Sequence, residues 1–190
     1  MGHAMRILIA GVLGAIGMFI WLSIAHMATP LAMMGVSHFN HEQPVMDAVR
    51  TDLGSRSGFY LYPWNEDMSA DAMKAHQTKL DANGMGLLVY RAPGTVSASM
   101  GKQLVFEFLN ELVQSLIAAW LLAQAAIAGY ARRVVFVTAI GVAAGIATNI
   151  SYEVWYGFPA SYTHANIIMT VVGYLVAGLV IAGVLRRNAV

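Results

Sequence analysis

The sequence predicts an all-α membrane protein: a four-transmembrane-helix bundle with a small α+β extracytoplasmic insertion between helices 1 and 2. The first observation is the low fraction of charged residues. They make up 11% of this chain, whereas a soluble domain has about 25% charged residues. The second is four apolar runs without a charge, each near the length of about 20 residues that spans a bilayer core as a helix. These runs cover residues 7–25, 112–131, 134–152 and 165–185.

Charge and cysteine content exclude several classes of function. The formal net charge is +1, whereas a nucleic-acid-binding protein depends on a basic field. The chain has no cysteine, which removes disulfides, thiolate metal sites and cysteine nucleophiles. The sequence also lacks a phosphate-binding glycine loop and a nucleophile elbow. We therefore expect the lipid bilayer and no nucleic acid among the partners, and a non-enzymatic role is favoured over an enzymatic one.

Residues 1–28 are predicted to form a cytoplasmic N-terminal end and transmembrane helix 1. Arg6 precedes the apolar run, and the small residues around Ala25 also match a signal-peptide cleavage site. However, the run is longer than the apolar region of a typical signal peptide, which has about 7–15 residues. A retained helix is therefore favoured over a cleaved signal.

Residues 29–103 are predicted to form the extracytoplasmic segment, since their composition is mixed and rich in turn residues. Pro44 suits the first turn of a helix and Gly54 suits its end, while Asp67 or Ser69 can cap a second helix. The predicted elements are helices over 44–53 and 69–80 and strands over 59–62 and 87–90. Because these elements bury little apolar surface, we expect the segment to pack on the helix ends. It is either a structural cap or a module that binds a ligand or partner.

Residues 104–190 are predicted to hold helices 2–4, at about 104–128, 134–152 and 165–185, with short loops. The loops and ends predicted to be inside contain arginines and no acidic residue: Arg6, Arg132, Arg133, Arg186 and Arg187. Because basic residues near span ends resist translocation, both termini are predicted to be cytoplasmic. The compact chain and the cysteine-free outer segment favour a bacterial inner membrane.

The order of four spans, with a large first outer loop and a small second one, resembles the layout of claudins and tetraspanins. Those families use cysteines in the first outer loop, and this chain has none. The resemblance therefore covers topology alone, and it carries over no functional residue.

Predicted helix 2 carries a polar face in its outer half. At 100° per residue, Glu107, Glu111 and Gln114 lie within about 60° of one another, and Asn110 flanks them. The same face continues inward with apolar residues such as Ala118, which disfavours a simple channel. Two carboxylates four residues apart are not both easily ionised at low dielectric, so the site could carry a proton. The alternative is a hydrogen-bond network that only fastens the helices.

The other predicted helices bring polar groups to the same depth. On helix 3, Gly141, Gly145, Asn149 and Glu153 form one ridge, in which the glycines allow close helix packing. On helix 4, one face carries Asn166 and Thr170. The predicted intramembrane polar site comprises Glu107, Asn110, Glu111, Gln114, Asn149 and Glu153.

Histidines provide candidate metal ligands. His26, His164 and Glu111 could hold a divalent metal, while the two histidines could ligate a b-type haem and the cluster could exchange protons with a quinol. In the insertion, His38 and His41 would share a helical face, although their spacing differs from the metalloprotease motif. The sequence leaves the cofactor unknown.

These observations favour a non-enzymatic accessory or sensor-like subunit that presents its extracytoplasmic segment to a protein partner or ligand. The alternative is a small membrane protein that handles a metal, haem or quinone through an outer-leaflet His/Glu cluster. A third hypothesis is a small transporter, which would need a homo-oligomer to form a path across the membrane.

Overall fold

The computed structural model describes residues 2–96 and 99–185. The helices are α1 (His3–Ala28), α2 (Glu42–Leu53), α3 (Ala70–Asn83), α4 (Gly101–Gln124), α5 (Tyr130–Tyr156) and α6 (Ala160–Val184), and the strands are β1 (Gly58–Tyr62) and β2 (Gly86–Tyr90). A short 3-10 turn, Leu31–Met33, follows α1. The described residues form two compact units, one of residues 2–36 with 99–185 and one of residues 37–96.

Four helices, α1, α4, α5 and α6, are long and apolar enough to cross a membrane. A small two-stranded sheet lies in the chain between the first and second of them. The coarse prediction of a four-helix membrane protein with a small insertion is therefore confirmed. We call the end of the bundle where α1 ends and α4 begins the insertion end, and the end that carries the 125–129 connection of α4 to α5 the link end.

Small residues let the four helices of the bundle approach closely. α1 packs against both α4 and α6, and α6 also packs extensively against α5. At Gly11, an added Cβ would lie 2.5 Å from Leu116 Cδ2 on α4, and at Gly14 it would lie 2.5 Å from Ser115 Oγ. A larger residue at either position would push α1 and α4 apart. The buried core comprises Ala10, Met18, Ala118, Ala119, Leu122, Val137, Tyr174, Ala177 and Ile181.

The α4–α5 connection differs from the predicted helix bounds. α4 ends at Gln124 rather than near residue 128, and Ala126 adopts a positive φ of 51° that breaks the helix. The carbonyl of Ile127 is satisfied by Arg133 Nε, 2.8 Å away. α5 in turn begins at Tyr130, before the predicted start at 134, because its first turn includes arginines that the search for uncharged runs excluded.

The insertion unit is built around the antiparallel β1–β2 pair, in which Tyr60 lies opposite Leu88. Gly54 follows α2 with a positive φ of 56°, as its predicted role at the helix end requires. At α3, the Ser69 side chain accepts a hydrogen bond from Ala72 N at 3.4 Å, so the predicted cap is confirmed. All four predicted elements of this segment are confirmed, and their ends differ from the predicted ones by at most three residues.

Residues 29–36 belong to the bundle unit rather than to the insertion unit. Thr29 Oγ1 donates to Ala25 O at 2.6 Å and accepts from Leu31 N at 3.2 Å, which turns the chain at the end of α1. Gly35, at a φ of 77°, lies against Tyr162 on α6, where an added Cβ would be 2.8 Å from the Tyr162 backbone nitrogen. The compact insertion therefore begins after Val36.

Candidate functional site

A polar pocket of about 260 Å³ lies between α1, α4 and α6 near the insertion end. Its polar side chains are His26 from α1, Glu107, Asn110, Glu111 and Gln114 from α4, and Asn166, Thr170 and Tyr174 from α6. Its apolar wall comprises Met18, Leu22, Met169 and Gly173. We call this cavity the Glu111 pocket. Polar and apolar groups from three helices thus converge on one small volume.

Helical periodicity places four polar side chains of α4 in the lining of this pocket. Glu107, Asn110, Glu111 and Gln114 are spaced three and four residues apart, so they share one face of the helix. Glu107 and Asn110 are exposed, whereas Glu111 is 1% exposed. The opposite face of α4 carries exposed apolar side chains such as Leu109. The pocket therefore has an accessible rim and a buried carboxylate within it.

Glu111 is the most unusual residue of the pocket. Both of its carboxylate oxygens are buried, and neither has a hydrogen-bond partner within the described residues. Burial of a polar group without a hydrogen-bond partner costs from about 1 kcal/mol to several kcal/mol. Such a cost is usually offset by a bound ligand or by function.

Several polar groups around Glu111 already use their donors. Tyr174 OH donates to Gln114 Oε1 at 3.0 Å. Asn166 Nδ2 donates to Tyr162 O at 2.9 Å, and Thr170 Oγ1 donates to Asn166 O at 2.9 Å. These bonds leave the amide oxygen of Asn166 and the hydroxyl lone pairs of Thr170 as acceptors.

His26 adds another acceptor. Its Nδ1 lies 2.8 Å from Leu22 O, and because a carbonyl only accepts, Nδ1 is the donor in this bond. The Nε2 of the neutral ring is then an acceptor. Together with the carboxyl oxygens of Glu107 and Glu111, these groups supply several hydrogen-bond acceptors to the pocket. Its chemistry suits a ligand that donates hydrogen bonds or carries positive charge.

The remaining residues of the predicted polar site lie elsewhere. Asn149 Nδ2 donates to Gly145 O, one turn earlier in α5, at 2.9 Å. Glu153 has a buried Oε2 without a partner in the described part of the chain, but neither Asn149 nor Glu153 lines the Glu111 pocket. The structure therefore separates the α5 residues from the four on α4.

The α5 glycines lie on the α5–α6 interface. An added Cβ on Gly141 would overlap the Tyr174 side chain, whereas one on Gly145 would lie 3.6 Å from Ile167 Cα and Thr170 Cβ, an ordinary contact. Gly141 thus leaves room for the Tyr174 side chain, whose hydroxyl group donates a hydrogen bond to Gln114 in the pocket. The sequence pattern missed this role of Tyr174, because a tyrosine within an apolar helix gives no signal of which neighbour it meets.

The predicted metal ligands are not assembled. No group of three His, Asp or Glu residues within 2–96 and 99–185 could hold a metal ion. His26 and Glu111 line the same pocket, but His164 is exposed on α6 and does not. His38 and His41 precede the first residue of α2, so the helical face assumed for them does not exist.

Comparison of the chain with protein-family models, curated proteins and solved structures finds no match. The functional interpretation of the Glu111 pocket therefore rests on its geometry and chemistry.

Proposed function

We propose that this chain is a non-enzymatic, sensor-like membrane subunit whose Glu111 pocket binds a small amine. The observation that carries the proposal is the buried Glu111 carboxylate, which has no partner for either oxygen among the described residues. An ammonium group supplies the missing charge and three hydrogen-bond donors. A charge-assisted hydrogen bond of this kind is stronger than a neutral one by about a factor of two.

The other walls of the pocket support the same class of ligand. Asn166 Oδ1, Thr170 Oγ1 and His26 Nε2 are available as acceptors around Glu111. Met18 and Met169 offer an apolar surface for a short alkyl group. The volume of about 260 Å³ is below the range of about 300–1,000 Å³ that is typical of pockets for drug-sized ligands. A compact primary amine therefore fits better than a large cofactor.

The site favours an organic cation over a metal ion. A structural or catalytic metal needs three or four protein ligands at short distance, and the described residues contain no such group. An ammonium group, in contrast, is satisfied by one carboxylate and two scattered acceptors.

The proposed role includes an orientation and a partner. The arginines near the link end favour placing that end in the cytoplasm, with the insertion unit outside a bacterial inner membrane. The insertion unit exposes large apolar side chains, among them Trp64, Met68 and Val89. Trp64 and Met68 line one shallow pocket, and a contiguous exposed apolar patch is typical of a surface that binds a protein partner. We propose that this unit contacts that partner.

A comparison of three ligands of equal size tests amine binding. Butylamine, butanol and butyrate are titrated into the detergent-purified chain, and the midpoint of thermal unfolding is measured. A ligand at 100 times its dissociation constant stabilises the folded state by about 2.7 kcal/mol. We expect butylamine to raise the midpoint most, butanol less and butyrate not at all.

Two glutamate variants make this test specific. Glu111→Gln removes the charge from the pocket, and we expect the dissociation constant for butylamine to rise at least about tenfold. Glu153→Gln removes a carboxylate with a buried oxygen outside the pocket, so amine binding should be unchanged. Equal responses of both variants, or equal shifts with butylamine and butyrate, would exclude the proposed site.

A further inference from the structure

A second pocket, of about 140 Å³, lies at the link end of the bundle, where α1 begins and α6 ends. Its polar side chains are His3, Arg6 and Arg133, and no carboxylate lines it. The remaining wall is apolar and includes Leu122 and Ile127. We call this cavity the Arg133 pocket. It is distinct from the Glu111 pocket, which shares none of its residues.

Arg133 is buried, with 8% of its surface exposed. Its Nε donates to Ile127 O and its Nη1 donates to Leu185 O, both at 2.8 Å. A guanidinium group has five N–H donors, so these two bonds fix its position and leave other donors free. The backbone thus holds the arginine in place without neutralising it.

Within residues 2–96 and 99–185, no acidic side chain balances the positive charge of the Arg133 pocket. Among the residues that the structure describes, no carboxylate forms an ion pair with Arg133 or Arg6, and the ion pair present joins Arg50 to Asp47 in the insertion. An arginine cannot lose its proton in a protein, so the charge of a buried guanidinium persists. Removal of a charge from water is costly unless an opposite charge compensates. The pocket therefore presents a positive charge that a bound anion would compensate.

The start of α1 adds to this positive field. Gly2, the residue before the helix, provides no side-chain cap for the first backbone N–H groups. The unpaired N–H groups of a helix start carry a partial positive charge. His3 and Arg6, which line the pocket, belong to the first two turns of this helix.

We propose that the Arg133 pocket binds the phosphate group of an anion, with Arg133 as the fixed contact and Arg6 as the mobile one. Two guanidinium groups match the planar, bidentate geometry that phosphate oxygens accept. A free phosphate ion and the headgroup of an anionic phospholipid share this chemistry. Basic pockets between the ends of membrane helices commonly bind such headgroups. The apolar wall beside the arginines suits the glycerol and acyl carbons of a lipid.

Binding measurements on the detergent-purified full chain test this proposal. Phosphatidylglycerol, phosphatidylcholine with the same acyl chains, and inorganic phosphate are titrated separately, and bound ligand is followed by native mass spectrometry and thermal unfolding. Stabilisation by phosphatidylglycerol alone would identify the ligand as an anionic lipid, whereas stabilisation by inorganic phosphate would identify it as free phosphate. Either result supports the site. Failure of both to bind, or equal binding of phosphatidylcholine, would overturn it.

Charge variants separate a defined site from general attraction between arginines and anions. Arg6→Gln removes a pocket charge, whereas Arg132→Gln removes an equal charge from an exposed residue outside the pocket. We expect Arg6→Gln to weaken anion binding about tenfold and Arg132→Gln to change it less than twofold. Equal weakening by both variants would overturn the proposal. Arg6 is preferred to Arg133 for this test, because Arg133 also donates hydrogen bonds to two backbone carbonyls and its replacement would disturb the fold.

Discussion

Glu111 illustrates a conflict between stability and function within a single residue. Its side chain is 1% exposed and lacks partners in the described chain, and burial of a polar group without a partner is unfavourable for folding. A ligand that pairs with it would offset this cost. Residues of binding sites commonly sacrifice stability in this way.

The first prediction concerns Glu111→Gln in the absence of ligand. The amide is nearly isosteric and neutral, so we expect thermal stability in detergent to be unchanged or to rise by up to about 3 kcal/mol. Thermal unfolding of both proteins without added amine measures the change. A clear loss of stability would indicate that the carboxylate serves as a structural fastener.

The second prediction concerns the pH response of Asp67 in the insertion. The Ser69 backbone N–H donates to Asp67 Oδ1 at 2.8 Å, and the Ser69 hydroxyl donates to Oδ2 at 2.9 Å. These bonds favour the carboxylate and lower the pKa of Asp67 from its usual value of 3.8. Because the folded-state pKa is the lower one, the stabilisation is present above pH 3.8 and is lost as the pH falls through the lowered pKa.

An NMR titration of the Asp67 carboxyl carbon measures this effect in the full chain. We expect a midpoint below 3.8 in the wild-type protein. Replacement of Ser69 with alanine should move the midpoint part of the way upward, because it removes the hydroxyl donor and keeps the backbone N–H. A midpoint that is insensitive to Ser69→Ala would show that the hydroxyl bond does not contribute to the lowered pKa.

At the scale of elements, the α5–α6 interface tolerates a methyl group at one glycine and not at another. Gly141 lies directly against Tyr174, while Gly145 is in ordinary contact with Ile167 and Thr170. We predict that Gly141→Ala destabilises the bundle by about 1–3 kcal/mol through overpacking. Gly145→Ala should be neutral or stabilising, because alanine favours a helix over glycine by up to about 1 kcal/mol.

Thermal unfolding of the two glycine variants side by side tests this prediction. Gly145→Ala is the matched control, since it adds the same methyl group one turn away on the same face. We also expect Gly141→Ala to weaken butylamine binding, because displacement of Tyr174 breaks its hydrogen bond to Gln114. Equal stability of both variants would show that the interface can adjust at Gly141.

The elements of the insertion were predictable because turn residues mark their ends. Gly54 ends α2 and Ser69 caps α3, and both effects are local in the chain. The ends of α4 and α5 were less predictable. The helical backbone continues through charged residues such as Arg133, and it breaks at Ala126, an alanine that carries no turn signal.

The Glu111 pocket was predictable on one side alone. The helical period places Glu107, Asn110, Glu111 and Gln114 on one face whatever surrounds them. The rotation of each helix within the bundle depends on packing with its neighbours. For that reason the structure brings α6 residues such as Thr170 to the pocket and leaves Glu153 of α5 outside it.

At the scale of the whole molecule, the bundle has ends of opposite chemistry. The pocket at the insertion end is lined by two glutamates and other acceptors, while the pocket at the link end is lined by two arginines and a histidine. Basic residues at one end of a membrane bundle favour its retention in the cytoplasm. The distribution of charge and the proposed orientation are therefore consistent.

The orientation can be tested directly because the chain contains no cysteine. We predict that Ser55→Cys in the insertion reacts with a membrane-impermeant maleimide in sealed right-side-out vesicles. Ala131→Cys at the start of α5 should react only after the vesicles are permeabilised. Both positions are exposed in the protein, so the reverse labelling pattern would show that the orientation is inverted.

The packing of α1 against two later helices has a consequence for the order in which the protein is made. α1 is synthesised before its packing partners α4 and α6, and the whole insertion lies between them in the chain. With a mean hydropathy of 2.4, α1 is apolar enough to be stable in the bilayer as a single helix before its partners are inserted. α4 contains Glu107 and Glu111 and has a lower mean hydropathy of 1.4. On insertion it would pack against α1, which would already be in the bilayer. Biogenesis would then proceed by recruitment of α4 and α6 to α1, while α5 packs on α6.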